Sequence, residues 1–267
     1  MKTVTSRDNP LLKSARKLRQ TKGRSAAGAF IADGRKLITE ALDAGLGLEA
    51  MFVSASSVAY GLTDEDRAFL EKIESLIAAD KVVELGEKQY AELAGTETPQ
   101  PFAAVFQKPK SAEHGACGSA LVLDRIGDPG NAGSMVRTAR AAGFSEVWTI
   151  KGTADLWSDK AIRAAAGSLF HMHIREGLSP EDVFDDARKC GAQVYVLGMG
   201  GQDIYDTDLC GNIVLIVGNE GSGVQEILSE KANAVLAIPM AKGTESLNAA
   251  AAVAVALYEK HRQERVR

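Results

Sequence analysis

The sequence is poor in cysteine: Cys117, Cys190 and Cys210 are odd in number, far apart and without a CxxC pair among 267 residues. That pattern excludes a zinc-ligand motif and predicts no disulfide framework, so all three are expected to be ordinary thiols. No run of about 18 apolar residues occurs, and the opening MKTVTSRDNPLLK lacks the apolar stretch of a secretion signal. A cytoplasmic protein with no membrane partner is the expectation. Two glycine signatures are also missing. No GxGxxG follows a strand and no GxxxxGK[ST] occurs, which disfavours nicotinamide and nucleoside triphosphate cofactors.

What is present is an ordinary globular composition, 45% hydrophobic and 25% charged, with a formal net charge of -4. The charge is unevenly spread. Residues 1–36 hold ten Lys or Arg (Lys2, Arg7, Lys13, Arg16, Lys17, Arg19, Lys22, Arg24, Arg35 and Lys36) against Asp8 and Asp33. A local positive field on an acidic chain suits a polyanion gripped at one place. By charge alone, a solvated basic helix explains the run equally well.

Periodicity divides the chain into an α/β unit over residues 1–108, a polar linker at 109–118 and a second α/β unit over 119–267. In the first, Asn9-Pro10 predicts an N-cap with proline at N1, opening a basic helix to about Lys22. Strands are expected at 29–32, 50–54, 82–85 and 102–106, and helices at 35–44, 63–79 and 87–94. The stretch QKPKSAEHGACG carries Pro109 and two glycines without periodicity and reads as the linker. Beyond it, apolar strands at 120–123, 146–150, 169–174, 194–197, 213–217 and 235–238 alternate with helices at 132–142, 159–165, 180–190, 224–230 and 246–262. Strands with little polar alternation, separated by helices, predict a parallel sheet covered on both faces. Ligands of such sheets lie at the carboxyl ends of the strands.

Three Gly-rich junctions fall at those ends: DRIGDPGNAGSMVRTA from Asp124, VGNEGSGV from Val217 and IPMAKGTESLN from Ile238. Glycine lets backbone N–H groups approach a ligand closely, and helix N-termini attract polar groups. In the first junction Asn131 is expected to cap the next helix, and Arg137, four residues past Gly133, to stand in its early turns against the helix dipole. The second supplies a carboxylate, Glu220. In the third, Ser246 reads as an N-cap, while Asn248 stands where alanine would be the better helix former. The alanine-rich run after it allows close approach of a sheet or a partner subunit.

NAGSMVRTARAAGF, LIVGNEGSGVQEIL and IPMAKGTESLNAAAAVAVALYE, in that order, resemble the three motifs of the SpoU (TrmH-type) RNA ribose 2'-O-methyltransferases of the SPOUT superfamily. The N-terminal segment NPLLKSARKLRQTKGRSAAGAFIADGRKLITEAL resembles the ribosomal-protein-like substrate-binding domain that precedes many members. The resemblance implies a parallel-sheet α/β domain with a trefoil knot and a site for S-adenosylmethionine. By motif position it places the cofactor near Gly198, Met199, Gly200, Gly218, Ile238, Met240 and Leu247. Asn131, Arg137, Glu220, Ser246 and Asn248 fall near the reacting ribose, with no metal required. Arg137 is expected to bind the adjacent phosphate and the developing alkoxide, and Ser246 or Asn248 to orient the hydroxyl. RNA contacts are expected from Lys13, Arg16, Lys17, Arg19, Lys22 and Arg24, and from Lys160 and Arg163 beside the Gly167-Ser168 corner. The implied substrate is structured RNA, ribosomal in preference to transfer RNA, and the implied assembly is a homodimer through the catalytic domain. A non-catalytic RNA-binding protein on the same fold is the alternative.

Overall fold

Apolar strands that cannot leave either face in water draw helices onto both sides, and this happens twice along the chain. The computed structural model describes all residues except 1, 5, 7, 95–98, 110–116 and 244–245. Most of the linker therefore lies outside the described residues, as do Arg7 and part of the third junction. The described chain forms two units, Met1–Pro109 with Trp157–Ile162, and Lys110–Leu156 with Arg163–Arg267.

The first unit runs β1 (Lys2–Val4), α1 (Pro10–Lys17), α2 (Thr21–Ala27), β2 (Ala29–Asp33), α3 (Arg35–Asp43), β3 (Leu48–Ser54), α4 (Ala55–Tyr60), α5 (Asp64–Leu76), β4 (Val82–Leu85), α6 (Glu87–Ala94) and β5 (Phe102–Gln107). Its five strands are ordered β1-β4-β3-β5-β2, with β5 antiparallel to both neighbours. Leu12, Phe52, Leu85, Tyr90 and Leu93 are buried together on one face. Asn9 caps α1 as expected, its Oδ1 accepting from the N–H groups of Leu11 and Leu12 at 3.0 and 3.2 Å. The single basic helix expected to Lys22 is instead two, broken over residues 18–20. Arg24 explains the break: its guanidinium donates to the Leu18 carbonyl at 2.7 Å and to Thr21 Oγ1 at 3.0 Å, satisfying the end of α1 from inside α2. Residues 157–162, read from sequence as part of the second domain, pack in this unit, where the Trp157 ring lies 4.9 Å from that of Phe30.

The second unit runs β6 (Ala120–Asp124), α7 (Pro129–Ala141), β7 (Glu146–Ile150), α8 (Asp159–Ala165), which begins in the first unit, β8 (His173–Leu178), α9 (Pro180–Lys189), β9 (Gln193–Asp203), β10 (Ile213–Gly218), α10 (Glu226–Lys231), β11 (Ala234–Ala237) and α11 (Ala249–Val266). All six strands are parallel, in the order β11-β9-β10-β6-β7-β8. Trp148, Ile150, Val194, Ile216 and Leu228 share one buried cluster. The buried Glu146 carboxylate accepts from Trp148 Nε1 at 2.9 Å, which meets the need of a polar group taken out of water.

Two expectations fail here. The apolar run expected to be a strand from Leu169 forms a 3-10 turn over Ser168–His171, with the strand starting at His173. Leu169 and Phe170 are buried in succession, and a short apolar run of this kind does not distinguish strand from helix. The cysteines also differ from expectation: Cys117 and Cys190 are joined as a disulfide with Cα atoms 4.8 Å apart, and Cys210 alone remains free. Cys117 precedes β6 and Cys190 caps α9, so a separation of 73 residues hid a spatial neighbour.

Candidate active site

The ends of β9, β10 and β11 open on one cavity of about 830 Å³. It lies at the carboxyl edge of the parallel sheet, where such sheets bind ligands. Its walls include every residue placed near a cofactor by motif position: Gly198, Met199, Gly200, Gly218, Ile238, Met240 and Leu247. Glu220, Ser246 and Asn248 line it too. Asn131 and Arg137 do not.

Asn131 instead reaches the site through Glu220, donating its Nδ2–H to Glu220 Oε1 at 2.7 Å. It does not cap α7. That position belongs to Asp128, whose Oδ1 accepts from the Asn131 N–H at 2.9 Å with Pro129 at N1. The helix therefore begins earlier than expected and leaves the Asn131 side chain for the second junction. Arg137 lies eight residues past Pro129, on the third turn. There the helix dipole no longer opposes it. Its guanidinium is exposed, with no hydrogen bond or ion pair to a described residue.

Asn248, not Ser246, caps the last helix. Its Oδ1 accepts from the Ala250 and Ala251 N–H groups at 2.9 and 3.4 Å, which gives the local reason for asparagine that propensity could not supply. Its Nδ2 keeps no partner among the described residues. Ser246 is exposed at the cavity.

The second junction is fixed by a residue that sequence reasoning passed over although it lies within the motif. Asn219 Oδ1 accepts from the Gly221 and Ser222 N–H groups at 2.9 and 3.1 Å, and its Nδ2 donates to the Arg125 carbonyl at 3.0 Å. This Asx turn closes the loop on itself and ties it to the first junction. Gly218 is required there: a Cβ on it would enter the Gly223 carbonyl group and the Val224 nitrogen.

The chemistry of the lining narrows the ligand. Leu197, Val235, Ile238 and Leu247 offer apolar surface to a flat heterocycle, while glycines leave room for a chain folded back on it. Among the described lining residues there is no Lys, Arg or His, and Glu220 is the single charged group. A polyphosphate finds no counter-charge here, whereas a cation finds one. S-adenosylmethionine, an adenine nucleoside bearing a sulfonium, fits that set. Among the described residues no group of His, Cys, Asp and Glu could hold a metal ion.

The basic residues of the first unit divide sharply. Lys17 and Lys22 are exposed, and so is Lys13 despite its ion pair with Asp8 at 2.8 Å. Three others do not fit an RNA-facing role. Arg24 is 4% exposed and bonded within its turn, Arg19 is ion-paired with Asp33 at 3.2 Å and with Asp159, and Arg16 is paired with Glu92 at 2.5 Å. Each of these guanidiniums is held beside a carboxylate or carbonyl of its own unit and none of the three is exposed, so they present little to a phosphate. Lys160 and Arg163 on α8 are exposed.

A family model described as the SpoU rRNA Methylase family matches residues 118–258, and one described as an MRM3-like substrate binding domain matches residues 9–104. The chain is 32% identical over 260 residues to the 23S rRNA (guanosine(2553)-2'-O)-methyltransferase RlmP of Bacillus subtilis, an alignment spanning 97% of this chain and 98% of that protein. An AdoMet-bound rRNA methyltransferase from Sinorhizobium meliloti has a crystal structure that matches with a TM-score of 0.81 at 31% identity, over 98% of this chain and 97% of that one. The SpoU methyltransferase AviRb from Streptomyces viridochromogenes, in complex with AdoMet, matches with a TM-score of 0.82 at 25% identity, over 96% of this chain and 98% of that one. The chain belongs to the SpoU rRNA methylase family.

Proposed function

We propose that this protein transfers the methyl group of S-adenosylmethionine to a ribose 2'-hydroxyl of ribosomal RNA. The observation that carries the reading is the cavity: glycine-walled, without Lys, Arg or His among its described lining residues, and holding one carboxylate that is hydrogen-bonded to Asn131. Its lining suits a sulfonium nucleoside, and the relatives act on ribosomal RNA. Titration calorimetry tests the cofactor directly. S-adenosylhomocysteine is expected to bind at micromolar concentration and NAD not at all; the reverse ranking would overturn the cofactor assignment.

Bound in this cavity, S-adenosylmethionine supplies an electrophilic methyl group on sulfonium. The oxygen–methyl bond would form as the sulfonium–methyl bond breaks, leaving S-adenosylhomocysteine, so the chain's own task is to align the hydroxyl and stabilise the negative charge that develops on its oxygen as the proton passes to water. Glu220 holds Asn131 at the mouth of the site, so the amide is oriented before substrate arrives. Ser246 and the Nδ2 of Asn248 are the donors that orient the ribose hydroxyl. Arg137 contributes a permanent charge with a planar fork of donors for the neighbouring phosphate and the developing alkoxide.

The same reading assigns residues 1–108 to the grip on RNA, now narrowed to Lys13, Lys17 and Lys22, with Lys160 and Arg163 as backbone contacts. Charge reversal at Lys160 and Arg163 with unaltered RNA affinity would remove them from the interface. We place the enzyme in the cytoplasm with the ribosome, as a homodimer through the second unit. Exposed Tyr258 and the small residues of α11 support that packing, and sedimentation as a monomer at micromolar concentration would contradict it. The trefoil knot belongs to this proposal as well; β11 returning past β10 to pair with the opposite edge of β9 is consistent with it.

A further inference from the structure

Asp124 ends β6 beside Gly218 of β10 and is 0% exposed. A carboxylate taken fully out of water is costly unless hydrogen bonds answer it. Here they come from one neighbour and from the second junction. Gln225 donates its backbone N–H to Oδ2 at 2.8 Å and its side-chain Nε2–H to Oδ1 at 2.7 Å. Arg125 donates its Nε–H to Oδ1 at 3.1 Å and also reaches the Gly223 carbonyl at 3.4 Å.

Two details separate this arrangement from ordinary core satisfaction. Gln225 is the N-cap residue of α10, yet its side chain makes no capping bond and turns to Asp124 instead. Arg125 adopts a left-handed backbone at φ 57°, a conformation that non-glycine residues hold only where surroundings impose it. Those surroundings are Thr153 Oγ1, which accepts from the Arg125 N–H at 3.0 Å, and Asn219 Nδ2, which donates to its carbonyl at 3.0 Å. The loop carrying Glu220 is thus held at one end by Asn219 on Arg125 and at the other by Gln225 on Asp124.

We infer that Asp124 is a positioning residue for methyl transfer, anchoring the 219–225 loop so that Glu220 meets both the cofactor cavity and Asn131. It touches neither cofactor nor substrate and acts through Gln225. The catalytic part of this inference rests on the function proposed above; the anchoring part does not.

The test exchanges the polarity of the pair. Asp124→Asn keeps an acceptor for the Gln225 N–H, but it makes the Gln225 amide turn over, sets an NH2 group against the Arg125 Nε–H and removes the charge that answers the guanidinium. Combining it with Gln225→Glu leaves one donor facing one acceptor and conserves the charge of the pair. Hydrogen exchange over residues 219–225 is expected to quicken roughly tenfold in Asp124→Asn, and methyl transfer at saturating cofactor to fall about 10- to 100-fold, the scale of a displacement near 1 Å in a catalytic group. The double variant is expected to return both to within about threefold of the parent, a rescue that loss of general stability would not show. Should Asp124→Asn fail to fold, Gln225→Met removes only the side-chain donor and is expected to move both readouts in the same direction. Parent-like exchange in the single variant overturns the anchor, and so does a folded double variant that recovers neither readout. Parent-like transfer with quickened exchange overturns the catalytic role. Altered and rescued exchange in a protein whose parent transfers no methyl would uphold the anchor while refuting the proposed function.

Discussion

Arg137→Lys is expected to lose most methyl transfer, about 100-fold at saturating substrates, while S-adenosylhomocysteine binds with parent affinity. The magnitude is that of removing a fixed donor from a developing oxyanion. Lysine retains the charge but presents a point ammonium in place of a planar fork, so bidentate contact with a phosphate is lost. The side chain is exposed and has no described intramolecular partner, and an exposed cation of that kind adds little to stability. It also lies outside the cofactor cavity. Fold and cofactor binding should therefore pass unaltered, leaving the chemical step to carry the loss. A lysine variant that transfers methyl at the parent rate would remove bidentate positioning from the mechanism.

Gly218→Ala is expected to act on the opposite half of the reaction. Gly218 ends β10 where the chain folds back, Asn219 and Gly223 exchanging backbone hydrogen bonds at 2.9 and 3.2 Å. An added methyl meets backbone atoms of Gly223 and Val224, which have no rotamer with which to withdraw. The loop must move, and overpacking of this kind costs roughly 1–3 kcal/mol. Because the displaced residues form a wall of the cavity, affinity for S-adenosylhomocysteine should fall at least about tenfold, one power of ten for each 1.4 kcal/mol lost. Calorimetry beside thermal unfolding separates the two effects. Parent affinity in a folded Gly218→Ala protein would mean that this wall does not hold the cofactor.

How far the sequence reaches is clear from individual elements. Expected bounds at 82–85, 87–94, 146–150 and 159–165 coincide with β4, α6, β7 and α8, because each is a short periodic segment closed by its own turn residues. The residues that the family resemblance placed near a cofactor line one cavity because they were carried over motif by motif; of them only the glycines carry a local signal of their own, close backbone approach at strand ends.

What escaped depends on groups distant in sequence or on competition between neighbours. Arg24 looks like one more surface cation until its guanidinium is seen closing the end of α1. Asp128 and Asn131 are both good caps, and Asp128 wins because Pro129 fits the first helical position. Asn248, which looked purely functional, also caps α11. Nothing in local pattern could reveal that Cys117 and Cys190 adjoin, or that the buried Asp124 is answered by Gln225, 101 residues away. Patterns of hydrophobicity and glycine locate strands and a cavity; hydrogen-bond partners emerge only when the chain has closed.

The most direct measurement is a map of ribose 2'-O-methylation across total RNA from cells with and without this gene. One ribosomal RNA nucleotide should lose its methyl group in the deletion strain and regain it when the parent gene, but not the Arg137→Lys gene, is restored. Identical maps from the two strains, or a loss confined to transfer RNA, would contradict methylation of ribosomal RNA by this protein.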